Sequence, residues 1–72
     1  MTTREQIRRN IAEAIVNSGM PRSELANRLG IKLSTLNNYI KCKHTPKLKI
    51  FANLCIILDL DVVRILYSEH DK

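Results

Sequence analysis

The 72 residues hold only two cysteines, two glycines and two prolines, and they contain no long apolar run. Cys42 and Cys55 stand thirteen positions apart with no Cys-x-x-Cys pair, so neither a disulfide framework nor a zinc site is expected. Cys42 and His44 would give a metal at most two ligands, and no metal or cofactor is expected. With two isolated glycines there is no glycine-rich phosphate loop. No paired carboxylates stand in an apolar setting, and no Ser/His/Asp or Cys/His arrangement is one that helices would bring together. An enzyme is therefore not expected, and no catalytic residue is nominated. Nothing reaches the roughly 18 apolar residues that a membrane span needs, and MTTREQIRRN lacks the apolar stretch of a signal peptide. The expectation is a cytoplasmic protein that does not engage a membrane.

Acid is also scarce where base is abundant. Residues 1–50 carry ten Arg or Lys against three Glu, and residues 51–72 carry two against four acids, so the net charge of +5 is made of +7 and −2. A basic face at an isoelectric point near 9.6 suits a polyanion, and the acidic end marks where that polyanion does not lie. Total charge fits solubilising lysines equally well. The position of the charges on the fold has to decide.

What is present reads as helix. Thr3 with Gln6 three residues on forms a capping box, and Ile7, Ile11, Ala14 and Ile15 give a first helix over 4–17 with Gly19 as its stop. Arg8 and Arg9 flank that apolar stripe and can shield it. Pro21 opens a second helix ending near Leu29 with Gly30 beyond it, and position 21 has no side-chain oxygen to act as a cap. A third helix spans 33–41. Thr45 is expected to cap a fourth that starts at Pro46 and runs to about Leu58, and Asp61 a fifth over 62–67. With no strand pattern and no repeat, the fold class is all-α: a compact five-helix domain over 1–68, with a polar tail over 69–72. So short a chain folds on a marginal core, so close helix packing or oligomerisation is expected to contribute, and no effector domain for a small molecule is expected.

In the fourth helix Leu48, Phe51, Ala52, Cys55 and Leu58 make a core stripe, which sets Ile50 and Ile57 almost opposite and lets Ile56 widen the apolar arc. In the fifth, Val62, Ile65 and Leu66 face inward and leave Val63 and Tyr67 outside. Ile50, Ile56, Ile57, Val63 and Tyr67 then form a patch that the domain cannot cover by itself, and a homodimer is the natural use for it.

Residues 21–41, PRSELANRLGIKLSTLNNYIK, have the layout of a helix-turn-helix. Leu25, Ala26 and Leu29 form one inward stripe and Leu36, Tyr39 and Ile40 another, with Gly30 and Ile31 between. Ser34, Asn37, Asn38 and Lys41 fall on the face away from Leu36. Short hydrogen-bonding side chains beside a cation are what a helix needs to read base edges in a major groove. Asparagine is a mediocre helix former, so two in succession on an outward face call for a functional reason. Tyr39, one turn after Leu36, belongs to the core rather than to a base-stacking platform. His44 fits a solvated loop as well as a phosphate contact.

These landmarks, GMPRSELANRLGI, STLNNYIK, the proline of HTPKL and LDLDVVRIL, resemble the phage repressor and Cro (XRE-type) family of helix-turn-helix DNA-binding domains. The likeness runs without a gap from about Gly19 to Leu66. It implies a lambda-repressor-like bundle and an operator of double-stranded DNA. It implies base reading by Leu33, Ser34, Asn37 and Asn38, and backbone contacts by Arg22, Lys32, Thr35, Lys41, Lys43 and His44. Arg22 resembles the side chain that clamps a phosphate and braces the reading helix. Three positions depart from the family pattern. Pro21 replaces a frequent capping Thr or Ser, and Cys42 and Asp59 replace frequent glycines. Since neither residue favours a left-handed backbone, those two loops are expected to differ in shape.

The reading that follows is a sequence-specific transcriptional regulator, a repressor above all, acting as a dimer on an approximate palindrome. Two rivals keep the fold. One is a protein-interaction adaptor or antitoxin-like subunit that uses the apolar patch, with DNA contact accessory. The other packages DNA without regard to sequence.

Overall fold

Thr3 starts the first helix as its position suggests: its hydroxyl accepts the Gln6 backbone N–H at 3.1 Å and satisfies a donor that a helix start leaves unpaired. The computed structural model describes residues 3–67. Over these, α1 spans Arg4–Asn17, α2 Arg22–Leu29, α3 Leu33–Ile40, α4 Leu48–Leu58 and α5 Val62–Leu66. The tail expected at 69–72 lies outside the described residues. Among the described residues there is no strand, and no helix is long and apolar enough to cross a membrane.

Three helices end in the same way. After α2, Gly30 takes φ 71°, its N–H reaches the Asn27 carbonyl, and the Ile31 N–H reaches Ala26 at 3.0 Å. This double closure is the Schellman motif, which needs a left-handed residue. After α3, Cys42 takes φ 62° while its N–H bonds the Tyr39 carbonyl and that of Lys43 bonds Asn38. After α4, Asp59 takes φ 55° and the Leu60 N–H bonds Cys55 at 2.9 Å. The expectation that Cys42 and Asp59 would reshape their loops is therefore corrected. Saturating the last carbonyls outweighs the cost of putting a Cβ in the left-handed region, about 1–2 kcal/mol for an L-residue. Cys42→Gly should accordingly raise stability by about 0.5–1 kcal/mol, and Asp59→Gly by less because aspartate tolerates this region. Urea midpoints of the two variants against the parent measure both effects.

The start of α4 is also corrected. The helix begins at Leu48 with Lys47 in the capping position and no side-chain cap. Thr45 instead accepts a hydrogen bond from Arg8 Nε at 2.7 Å, across 37 positions of sequence. Asp61 does cap α5, accepting the Arg64 N–H at 3.2 Å.

Each of the first four helices gives the core one fully buried side chain: Ile11, Leu25, Leu36 and Leu54. α1 packs on α3 and α5, and α2 packs on α3 and α4. Asn10 Nδ2 donates to the Ile65 carbonyl at 3.0 Å and ties α1 to α5. Tyr39 and Cys55 are buried as expected, and burial pushes the Tyr39 phenol and the Cys55 thiol above their ordinary pKa values. The Cα radius of gyration is 11.6 Å, against roughly 11 Å for a well-packed chain of this length.

In α4 the expected stripe holds for Phe51, Cys55 and Leu58 and fails for Leu48 and Ala52. Leu54 lies at the centre of the buried side with Cys55 beside it, and Ile50, Phe51, Ile57 and Leu58 pack against the core. Leu48 is 82% exposed, Ile56 76%, and Ala52 is exposed as well. Relative to the expectation the helix is turned by about 90°, given 100° per residue. Ile50 and Ile57, placed in the outward patch by the sequence pattern, belong to the inner side. Val62 is also more exposed than expected, whereas Ile56, Val63 and Tyr67 do lie at the surface.

Candidate nucleic-acid interface

The orientation of α3 follows from what it buries. Leu36 and Tyr39, three residues apart, are its two buried side chains, held among residues of α1 and α2. Ile40, half-buried, packs against the same core, and the other positions of the helix reach the surface to differing degrees. Ser34 and Lys41 are exposed, Leu33 is 46% exposed, and Thr35, Asn37 and Asn38 are half-buried. The four side chains expected to project together therefore share a surface, with the two asparagines set deeper than Ser34 and Lys41.

Arg22, the first residue of α2, explains part of that depth. Its Nη1 donates to Asn37 Oδ1 at 3.4 Å, a long bond that nonetheless ties the start of α2 to the middle of α3. The Asn37 amide N–H₂ keeps its donors, and Asn38 keeps a donor and an acceptor in one plane, the fork that matches an adenine edge.

The cations Arg22, Lys32, Lys41 and Lys43 are all exposed, as is His44. Among the described residues the one ion pair is Arg28 with Glu24 at 3.0 Å, an i,i+4 pair on α2. α1 and α5 are capped by Thr3 and Asp61, whereas α2, α3 and α4 begin without a side-chain cap; α3 has no acid in its first turn, and α2 has Glu24 there, paired with Arg28. Unclaimed N–H groups at a helix start form a partial positive charge that favours anions. Arg22 is tied to Asn37, and Lys32 and Lys41 stand at the two ends of α3, so three cations border the polar surface of that helix.

Sequence reasoning missed two features elsewhere in the fold. Arg8 and Thr45 meet across the chain, and no local signal announces a contact at that separation. The fully buried Leu54 was masked by the uniformly apolar helix around it. Compared with known proteins, the chain matches no family model, no curated protein and no solved structure.

Proposed function

We propose that the chain is a sequence-specific, double-stranded DNA-binding regulator of the phage repressor and Cro type, in which α2, Gly30 to Lys32 and α3 act as a helix-turn-helix. The observation that carries this reading is the surface of α3, where Ser34, Asn37 and Asn38 lie between cations that have no acidic partner among the described residues. In this reading α3 lies in the major groove. Leu33 packs on a thymine methyl, Ser34 and the two asparagines bond base edges, and Arg22, Lys32, Thr35, Lys41, Lys43 and His44 hold the backbone. The Arg22 bond to Asn37 orients one reading side chain before DNA arrives.

Selection from random duplexes at moderate salt tests the reading. A specific reader enriches one motif. In binding to that motif Asn38→Ala costs about 1–3 kcal/mol at a single base position and leaves the helical circular dichroism unchanged. Uniform retention of all duplexes would support packaging instead, and no retention would support the adaptor.

Ile56, Val63 and Tyr67, exposed on and beside the last two helices, support a homodimer about a two-fold axis. The two copies of α3 then address half-sites about 34 Å apart. Val63→Glu is expected to give a folded monomer with weakened operator binding, and sedimentation across micromolar concentrations checks it. The exposure of Leu48 and Ile56 also favours the adaptor as a second reading.

A further inference from the structure

Next to the loop that follows α3, the first turns of α1 and α4 flank a groove of about 710 Å³. Buried Ile11 and half-buried Ile7, Phe51 and Leu66 make its floor, and exposed Arg4 and Leu48 stand at its lip. The segment His44 to Pro46 forms one wall, braced by the Arg8 bond to Thr45. Arg4, Arg8 and His44 line the groove, and no carboxylate is among its described lining residues.

We propose that this groove docks an acidic amphipathic helix of a partner polypeptide. The apolar floor suits side chains spaced i, i+3, i+4 and i+7 on one helix face, and the basic lip suits Glu or Asp on the flanks. The open side argues against a small ligand. Leu48, 82% exposed, would leave such a ligand wet, whereas cofactor sites enclose most of their occupant. A helix lying along the groove covers Leu48 itself. His44 and the neighbouring Lys43 belong to the loop that follows α3, so an acidic occupant also competes with phosphate at that edge. This last consequence rests on the DNA-binding reading, and the docking does not.

The test is fluorescence anisotropy of the full chain with three labelled peptides. The first carries leucines at i, i+3, i+4 and i+7 with flanking glutamates, the second has the same composition scrambled, and the third has lysines for the glutamates. The first should bind roughly tenfold or more tightly than the others. Leu48→Asp, at an exposed site that leaves the fold intact, should weaken it by roughly tenfold to a hundredfold, and Arg4→Glu by roughly severalfold. Equal binding of the three peptides, or indifference to Leu48→Asp, overturns the proposal. So does self-association of the unliganded protein that Leu48→Asp abolishes, which assigns the groove to a second copy. Peptide binding that persists while DNA binding is absent leaves the groove standing and removes only the coupling.

Discussion

Leu36→Ala is expected to cost about 2–5 kcal/mol of stability, the largest effect of any single truncation in α3. Leu36 is fully buried in the helix that packs on both α1 and α2. Removing its isobutyl group forfeits the transfer energy of the buried atoms and leaves a hole that three helices cannot all close. A domain this small holds roughly 4–11 kcal/mol in total, so the loss takes a large share of it. Leu33→Ala is the control within the same helix. Leu33 is 46% exposed, and its truncation should change stability by less than about 0.5 kcal/mol. Urea denaturation followed by circular dichroism separates the two. Leu36→Ala would then lose DNA binding through unfolding, uniformly over sequences, in contrast to the single-position loss expected for Asn38→Ala.

A second large effect is expected from salt. Arg22, Lys32, Lys41 and Lys43 surround α3 without acidic partners among the described residues. If about four to six cations per monomer displace counterions from phosphate, log affinity falls with log salt at a slope of roughly −4 to −5. Going from about 50 to 200 mM salt then weakens binding by roughly 250-fold to a thousandfold per monomer. Lys41→Ala should take about 0.9 off the slope and weaken all duplexes alike. A slope near zero would mean that these cations do not meet phosphate. Titrations of a labelled duplex at four or five salt concentrations give the number directly.

The parts of the fold that sequence made legible are those where polar and apolar residues alternate with a clear period or where an end has a chemical marker. α1 was readable because Thr3 and Gln6 mark its start and because Ile7, Ile11 and Ile15 recur four residues apart. α2 and α3 were readable because Gly30 separates two clean stripes. The α4 face was not readable, since LKIFANLCIIL is apolar at nearly every angle and its rotation is decided by which surface α2 offers it. Ile50 and Ile57 were assigned outward for that reason. The start of α4 was misread because a threonine before a proline is a strong local cap signal, and the distant Arg8 claimed its hydroxyl. At Cys42 and Asp59 propensity argued against left-handed backbone, and the closure of the helix end prevailed. The candidate interface is nominated from residue types and spacing along one short helix, and the structure adds that Ser34 and Lys41 are exposed there. The Arg22 bond to Asn37, and the greater depth of the asparagines, required coordinates.

Backbone amide mapping tests the central claim most directly, by titrating the ¹⁵N-labelled protein with a selected duplex. The account predicts the largest shifts along Leu33 to Lys41, at the start of α2 around Arg22 and in the loop at Lys43 and His44, with α5 little changed apart from any dimer contact. Shifts confined to α4 and α5 around Leu48, Ile56 and Val63, with α3 silent, would contradict it.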